Sequence, residues 1–376
     1  MLHIPSMEFA PDQYAVQLMQ KQANLERLFA NLTHPEFEVF ASPKLHFRMR
    51  AEFRVWHERD DSGSGECFHA MFEQASPKAP VRIEQYPVAD KTICKLMPGV
   101  MQHINANQQL KHRLFQIEYL CTQTGEAVVT MIYHRQLDDE WLSHARELSR
   151  KLGCKIIGRA RKQRLILTED TVCETLTVGQ NTYSFLQGEN TFTQPNAAIN
   201  EKMITWLDDY LASNIAPDAE ESLLEMYCGI GNFTIPLSRH FNKVLATEIS
   251  KNSMRLATRN CELNDTKNVA FVRLSGEETS QALDGVRTFR RLAHIDLDSY
   301  QISTVLVDPP RAGLDQQTLA FIQRFDRILY ISCNPETLHN NLETLSTTHS
   351  VARIALFDQF PYTHHCECGV ILEKKK

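Results

Sequence analysis

The sequence predicts two domains, an N-terminal α+β domain and a C-terminal α/β domain built on a doubly wound, Rossmann-like sheet. Its 376 residues, 43% of them hydrophobic, are enough for two ordinary domains. From Pro43 to about Leu167, short strands broken by turn residues predominate, whereas after about Asn190 helical segments alternate with short apolar strands. This alternation is typical of a doubly wound sheet. We therefore expect domains at 1–187 and 188–376.

The N-terminal half combines helical pieces with short strands. Residues 12–32 have helical spacing, since their leucines fall near one face. Further helices are predicted near 90–110 and 138–152, and a run of turn residues at 60–65 separates two strands.

The pattern of apolar and polar residues in the C-terminal half predicts seven strands and five helices. The strands are Leu223–Cys228, Val244–Thr247, Val269–Leu274, Thr304–Val307, Ile328–Ser332, Ala352–Phe357 and Gly369–Leu372. The helices are 197–213, 231–240, 250–264, 315–325 and 335–346. A sheet of seven strands that ends in a short hairpin, at 352–372, suits the Rossmann-like sheet of methyltransferases.

Composition and the start of the chain indicate a cytoplasmic protein without a metal cofactor. No apolar run approaches the ~20 residues that a helix needs to cross a bilayer. Residues 1–13 lack the basic and apolar regions of a secretory signal. The ten cysteines form no CxxC pair and no cluster of the kind that holds an iron–sulfur centre or structural zinc. We therefore expect reduced thiols, a cytoplasmic location and no membrane association.

A glycine-containing turn after the first of these strands marks a candidate cofactor site. Gly229 and Gly231 allow a tight turn that brings backbone N–H groups close to a ligand. Glu248 ends the next strand, where an acidic residue bonds ribose hydroxyls in nucleotide-binding folds. An ordinary turn and a dinucleotide site are the alternatives. Phe233 and Thr234 stand where a third glycine admits a pyrophosphate, so these residues favour S-adenosylmethionine over NAD.

Two further loops follow predicted strands, at the edge where open α/β sheets bind ligands. One is Asp308–Arg311 and the other begins at Ser332. In the second, Asn334 suits a helix N-cap and Pro335 the first helical position. The sulfur of Cys333 then lies at a helix N-terminus, whose partial positive charge favours thiolate. A core cysteine that ends a buried strand is the alternative, but this placement favours a nucleophile.

A thiolate here suits methylation of uracil C5, which is a poor nucleophile. Attack of sulfur on C6 makes an enolate whose C5 can take a methyl group, and a base must then remove the C5 proton. Glu367, at the mouth of the last strand, is the candidate base. On the residues alone, a solvated glutamate is the simpler interpretation. A metal site of His364, His365, Cys366 and Cys368 is disfavoured, because adjacent residues of an extended chain point to opposite faces.

Two basic stretches in the first half predict an RNA-binding surface. The strand at 46–56 alternates between apolar and polar residues. Its polar face, which can bind phosphates and stack on bases, carries His46, Arg48, Arg50, Glu52, Arg54 and Trp56. Between Lys151 and Arg164 there are six basic residues and no acidic one. Charge runs are usually solvated faces, but the net charge of −6 arises wholly in the second half, so the first half is the better place for RNA.

Together these residues resemble the tRNA (uracil-5-)-methyltransferases over nearly the whole chain. The matching blocks are SPKLHFRMRAEFRVWH at 42–57, LFQIEYL at 114–120, YHRQLDDEW at 133–141, FTQPNAAIN at 192–200, LLEMYCGIGNF at 223–233, VLATEIS at 244–250, DPPRAGLD at 308–315, LYISCNPETL at 329–338 and FDQFPYTHHCECG at 357–369. The last four blocks are together very specific.

The resemblance implies a Rossmann-like, S-adenosylmethionine-dependent methyltransferase domain preceded by an α+β RNA-binding domain. It implies Cys333 as the nucleophile and Glu367 as the proton acceptor. The implied cofactor contacts, beside Gly229, are Gln194, Tyr227, Asn232, Glu248 and Asp308. The implied RNA contacts are Arg54, Phe115 and His134. The phenylalanine is expected to stack in the RNA loop while the target uridine leaves its own stack.

The expected substrate is a uridine in the T-loop of tRNA, with the equivalent loop of tmRNA as a second substrate. Related enzymes that methylate ribosomal RNA usually carry a small β-barrel and an iron–sulfur cysteine cluster, which this sequence lacks. A 5-methylcytosine enzyme usually has a cysteine in the loop at Asp308, and an amino-group methyltransferase an aromatic residue at Arg311. The Cys333 and Glu367 motifs argue against a purely binding, RNA-chaperone role. No obligate protein partner is implied.

Overall fold

The computed structural model describes residues 3–5, 7–58, 65–73 and 75–376, so the predicted turn at 60–65 lies almost entirely outside it. Within these ranges no helix is both long and apolar enough to span a membrane. The helices are α1 Tyr14–Leu28, α2 Lys91–Asn105, α3 Gln108–Lys111, α4 Asp139–Leu152, α5 Ala197–Asn214, α6 Thr234–Leu237, α7 Lys251–Leu263, α8 Gly276–Leu283, α9 Gln316–Ile322 and α10 Pro335–Leu345. The strands are β1 Glu38–Phe40, β2 Arg50–His57, β3 Cys67–Glu73, β4 Ser76–Arg82, β5 Leu114–Cys121, β6 Ala127–Tyr133, β7 Lys155–Ala160, β8 Gln163–Ile166, β9 Thr171–Val178, β10 Asn181–Gly188, β11 Ser222–Met226, β12 Lys243–Thr247, β13 Val269–Val272, β14 Ile302–Val307, β15 Arg327–Ser332, β16 His349–Phe357 and β17 Glu367–Lys374.

A seven-stranded sheet forms the N-terminal part, in the order β4-β3-β2-β5-β6-β7-β8. In β2 the predicted alternation is confirmed, since Ala51, Phe53 and Val55 are buried while Arg54 and Trp56 are exposed. Helices α2 and α4 pack on the buried side, where α4 contributes Trp141 to the core. The other face carries the exposed Arg54 and Trp56 of β2, but Leu120, Val128 and Ile157 on this face are buried in a cluster with Val172 of β9.

The C-terminal sheet has the order β1-β16-β17-β15-β14-β11-β12-β13. Strands β13, β12, β11, β14 and β15 run parallel, and β17 lies antiparallel between β15 and β16. All seven predicted strands are present with small differences at their ends. The central strands β11, β12, β14 and β15 are almost entirely buried, as expected where helices cover a parallel sheet, whereas the edge strand β13 is only partly buried. The predicted doubly wound, Rossmann-like fold is confirmed.

The helix predicted over 231–240 is shorter than expected. Helix α6 covers four residues and continues as a single 3-10 turn at Ser238–His240. Pro236 has no amide hydrogen to donate to a helical bond, which fits this early change. Helix α8, which opens with a capping box between Ser275 and Glu278, was not predicted, nor was the hairpin of β9 and β10.

Strand β1 belongs to the C-terminal sheet although it lies early in the chain. It pairs in parallel with β16, and the Arg353 guanidinium donates to both carboxylate oxygens of Glu38 at 2.6 and 2.7 Å. Phe40 also stacks on Phe357 with ring centroids 4.8 Å apart. The start of the chain thus packs against the C-terminal domain. The border at 187/188 stays a prediction, but the first 40 residues do not follow it in space.

Candidate active site

The predicted catalytic residues and the predicted cofactor residues Glu248 and Asp308 lie at one edge of the C-terminal sheet. Met226, at the end of β11, is in register with Thr247 of β12 and Val307 of β14. Since parallel strands end at the same edge, the residues that follow them, Glu248 and Asp308 among them, come together there. This arrangement is the topological basis of the site.

Cys333 and Glu367 lie beside each other at this edge. Strands β15 and β17 are antiparallel, and Ser332 pairs with Cys368. The next residue outward on β15 is Cys333, and the next on β17 is Glu367, so the register places them as neighbours. Glu367 is 3% exposed, which excludes the simpler interpretation of a solvated surface glutamate.

The nucleophile candidate stands at the start of a capped helix, as predicted. The Asn334 side chain accepts a hydrogen bond from the Glu336 amide at 3.2 Å, and Pro335 occupies the first position of α10. The Asn334 amide group also donates to the Arg311 carbonyl at 2.9 Å, which ties the two strand-end loops together. Cys333 is therefore held from its own helix and from the neighbouring loop.

The expectation that the helix start favours a Cys333 thiolate is wrong for the protein without ligands. Burial, followed by the nearby carboxyls of Glu367 and Asp308, raises the pKa of the Cys333 thiol to about 11. Arg311 acts in the opposite direction but more weakly. Removal from water and two adjacent acidic groups thus disfavour the Cys333 thiolate in the ligand-free protein.

The raised pKa gives a test on the ligand-free protein. Because thiolate is the reacting form, alkylation of Cys333 by iodoacetamide at pH 7 should be roughly 100-fold slower than that of an unperturbed thiol. Its rate should rise about tenfold per pH unit between pH 7 and pH 9. Quantification of the Cys333 peptide by mass spectrometry measures this, with the urea-unfolded chain as the reference. An apparent pKa of 8.5 or below would contradict the assignment.

The pKa values of the two carboxyls near Cys333 are both raised. Burial raises the pKa of Glu367 well above its ordinary value, and Asp308 adds to the effect. The pKa of Asp308 is also raised by removal from water. Two buried acids that share an edge resist simultaneous ionisation. A cationic ligand at this edge would stabilise their charged forms.

The cofactor turn has the geometry that its glycines predict. Gly229 and Gly231 have φ values of +58° and +86°. The Gly229 amide donates to one Glu248 oxygen at 3.1 Å, and the Ser250 amide donates to the other at 2.7 Å. Tyr227 has a φ of +65°, which is unusual for a tyrosine. The backbone thus fixes the Glu248 carboxylate beside the glycine turn.

Two amide pairs fix the remaining cofactor candidates. Gln194 accepts a hydrogen bond from the Gln359 side chain at 2.7 Å. Asn232 and Asn200 exchange two bonds, each of 2.8 Å. Gln359 Oε1 is buried and has no partner. Carboxylates, amides and an unpaired buried acceptor suit a ligand with hydroxyl, amino and cationic groups, so these residues fit S-adenosylmethionine.

The three predicted RNA contacts form one stack on the N-terminal sheet. The Arg54 guanidinium lies 3.5 Å from the centroid of the Phe115 ring. The Phe115 and His134 rings are 4.0 Å apart with an interplanar angle of 30°. Beside them, Arg159 and Arg161 contribute to a cavity of about 630 Å³. Aromatic rings and guanidinium groups can bind bases and phosphates, and RNA binding at these residues stays a prediction.

Other basic residues in the two stretches serve the fold. Arg50 donates to the carbonyls of the turn at 188–191. Arg164 binds Glu189 at 2.7 Å, and Lys155 binds Glu169 at 2.7 Å. Sequence alone does not separate these side chains from those that face the open surface.

A cavity of about 900 Å³ opens beside Cys333. One wall comes from α1, including Lys21 and Asn24, and the other from Arg311 and residues 362–366. The sequence did not indicate that α1 lies at the site. The signal in the sequence that could have indicated it is Lys21, which falls on the same helical face as Leu18, Leu25 and Leu28. Within residues 362–366, the rings of His364 and His365 have centroids 4.2 Å apart. In the described part of the chain, no group of three or more His, Cys, Asp or Glu side chains could hold a metal ion.

Comparison with known proteins shows the family to which the chain belongs. A family model described as tRNA (Uracil-5-)-methyltransferase matches residues 13–375. A tRNA/tmRNA (uracil-C(5))-methyltransferase of Acinetobacter baylyi is 49% identical over 365 residues, which cover 96% of this chain and 98% of the relative. The protein of the same name from Saccharophagus degradans is 50% identical over 366 residues, with coverage of 97% and 98%.

A solved structure supports the fold. The tRNA (uracil-54, C5)-methyltransferase of Pyrococcus abyssi, in complex with S-adenosyl-L-homocysteine, aligns with a TM-score of 0.70. The alignment covers 96% of this chain and 83% of that chain at 23% identity. From the family match over nearly its whole length, together with these relatives, the chain belongs to the tRNA (uracil-5-)-methyltransferase family.

Proposed function

We propose that this enzyme uses S-adenosylmethionine to methylate C5 of a uridine in the T-loop of tRNA, at position 54, and in the equivalent loop of tmRNA. The position is the one named for the Pyrococcus abyssi protein, and both RNAs appear in the names of the relatives. The observation that carries the proposal is the placement of Cys333 beside the buried Glu367 at the sheet edge. We propose further that the protein acts in the cytoplasm.

The cofactor is proposed to lie between the glycine turn and the two strand-end acids. Glu248 is placed to accept hydrogen bonds from ribose hydroxyls, and Asp308, Gln194 and Asn232 to bind the polar groups of the amino-acid end. When bound, S-adenosylmethionine supplies an electrophilic methyl group. Its positive charge also lowers the pKa of nearby acids, so that the Cys333 thiol ionises more readily than in the ligand-free protein.

Cys333 and Glu367 are proposed to act in different steps of the reaction of the uracil ring. The Cys333 thiol first loses its proton to solvent, and the thiolate then bonds to C6 as the electrons of the C5=C6 bond move toward the C4 carbonyl, which makes C5 nucleophilic. After C5 has gained the methyl group, Glu367 takes the C5 proton. The C5–H electrons re-form the double bond, and the C6–S bond breaks with its electrons on sulfur. The burial of Glu367 suits this role, because a desolvated carboxylate is a stronger base.

The stack of Arg54, Phe115 and His134 is proposed to hold the RNA loop. Every base has a face that can stack on an aromatic ring, and such stacking is worth about 1–3 kcal/mol per base. A uridine that leaves its own stack loses a few kcal/mol, on the order of what this stack can replace. Arg159 of β7 and Arg161 in the turn that follows β7 line the same cavity as His134, and they are proposed to bind backbone phosphates.

The decisive experiment is transfer of labelled methyl from S-adenosylmethionine to an unmodified tRNA transcript, followed by nucleoside analysis. We expect 5-methyluridine, and we expect it to disappear when the T-loop uridine is replaced by cytidine. Labelling of ribosomal RNA in place of tRNA would keep the reaction type and overturn the substrate. Binding of tRNA without any labelling would favour an RNA-chaperone role.

Gly276→Ala is expected to weaken cofactor binding through Tyr227. A methyl group at Gly276 would overlap the Tyr227 hydroxyl and stand 3.2 Å from its Cζ atom. Such overpacking costs about 1–3 kcal/mol, so we expect a Kd for S-adenosylmethionine at least about fivefold higher. Isothermal titration calorimetry measures the change. Because Tyr227→Phe removes the overlapping hydroxyl, the double variant should bind more tightly than Gly276→Ala alone, and equal Kd values would contradict the mechanism.

A further inference from the structure

Helix α1 lies against the active-site edge although it precedes the N-terminal sheet in the chain. It borders the cavity that also exposes Cys333. Its C-terminal end packs on α10, since Leu25 and Phe29 share a hydrophobic core with Leu338. Just beyond α1, the Asn31 side chain accepts a hydrogen bond from His339 of α10 at 2.7 Å. The helix is therefore anchored on the element that begins next to the nucleophile.

The Lys21 ammonium of α1 is buried and holds the loop that leads into Glu367. It donates to Asp358 Oδ1 at 2.7 Å, to the Phe360 carbonyl at 2.9 Å and to the His365 carbonyl at 2.9 Å. Lys21 is 7% exposed, so its charge depends on these partners. The bonds reach both ends of the loop at 358–366, which we name the base loop because Glu367 follows it.

Further contacts hold the base loop from the same side. Asp358 is 1% exposed, and its second oxygen accepts a hydrogen bond from the Tyr14 hydroxyl of α1 at 2.8 Å. The Tyr14 oxygen accepts in turn from the Ser42 amide at 2.8 Å. The Glu8 amide donates to the Tyr362 carbonyl at 2.8 Å. The start of the chain thus acts as a frame for the base loop.

We propose that Lys21 is a positioning residue that fixes the Glu367 carboxyl beside the C5 proton, so that α1 is part of the active site. This inference rests on the proposed function, because it assigns Lys21 to the proton-abstraction step. In that step the C5 proton passes to the Glu367 carboxylate, the C5=C6 bond re-forms, and the C6–S bond breaks with its electrons on Cys333. Lys21 itself touches none of the reacting atoms.

Loss of the Lys21 bonds should affect Glu367 more than Cys333. Glu367 lies two residues beyond His365, whose carbonyl Lys21 binds. Cys333 is held separately, through the Asn334 cap and its bond to the Arg311 loop. Attack on C6 therefore tolerates a displaced base loop, whereas proton removal needs the carboxylate within hydrogen-bond reach. The expected signature is an enzyme that forms the covalent RNA adduct but releases it slowly.

The test is the double variant Lys21→Met/Asp358→Asn, which removes both charges and leaves no buried carboxylate without its cation. We expect kcat for tRNA methylation to fall at least about tenfold while KM for tRNA stays within about twofold. The fraction of enzyme present as a denaturation-resistant RNA adduct should rise. Lys21→Arg, which keeps the charge, should recover part of kcat and lower the adduct fraction.

A matched control removes another ion pair between the start of the chain and the C-terminal domain. Arg353→Met/Glu38→Gln does so without touching the base loop, and it should leave kcat and the adduct fraction at wild-type values. A Lys21→Met/Asp358→Asn enzyme with wild-type kcat, or one that loses kcat without accumulating adduct, overturns the inference. If the wild type makes no 5-methyluridine, or Glu367→Gln traps no adduct, the proposed function fails instead.

Discussion

Glu367→Gln is expected to trap the enzyme as a covalent complex with tRNA that survives denaturing gel electrophoresis. Glutamine keeps the size of the side chain but cannot take the C5 proton, so the C6–S bond cannot break. Loss of a general base typically costs about 10²- to 10⁴-fold in rate, and turnover should fall by this amount. Incubation with labelled tRNA and S-adenosylmethionine, followed by a denaturing gel, measures both adduct and product.

A second carboxylate on the same strand provides the control. Glu373 lies near the far end of β17, where it accepts hydrogen bonds from Arg327 and Tyr210, each at 2.7 Å. Glu373→Gln removes the partly buried ion pair between Glu373 and Arg327 and is expected to lower Tm, but the variant should release product normally. Equal adduct in both variants would show that slow release reflects a loosened strand and not the loss of a base at Glu367.

Much of this architecture could be predicted because the signals are local. The alternation of helices and apolar strands after residue 190 has a short period, and each predicted strand of the C-terminal sheet is present. The Asn334 cap and the Gly229 turn depend on residues within a few positions of each other. The RNA contacts Arg54 and Phe115 came from the family resemblance; the two side chains stack on each other, and their binding to RNA stays a prediction.

The remaining features depend on contacts between distant parts of the chain. Strand β1 is three residues long, and its partner β16 lies more than 300 residues away, so no local pattern indicates the pairing. The position of Lys21 against Asp358 has the same origin. The raised pKa of Cys333 could not be predicted from the sequence either, because it depends on burial and on Glu367. The antiparallel pairing of β15 and β17 is what brings Glu367 close to Cys333.

Cys333→Ala is expected to abolish methyl transfer while tRNA still binds. Without sulfur at C6, uracil C5 is not nucleophilic enough to accept a methyl group, and no other step compensates. Removal of a covalent nucleophile costs on the order of 10⁴- to 10⁶-fold in kcat. The RNA stack of Arg54, Phe115 and His134 is unchanged, so Kd for tRNA should stay within about threefold. Single-turnover methyl transfer and a filter-binding titration measure the two quantities.

Cys366 gives the sharpest comparison, because it borders the same cavity as Cys333. Its side chain is 6% exposed, and burial raises the pKa of its thiol to about 11, as for Cys333. Cys366→Ala should nevertheless retain transfer, since this cysteine lies in a loop and not at the start of α10. The variant Cys333→Ala/Glu367→Gln should form no adduct. If the adduct persists in this double variant and disappears only when Cys366 is also replaced, the nucleophile is Cys366. The assignment of Cys333 from its position at the end of a strand would then be wrong.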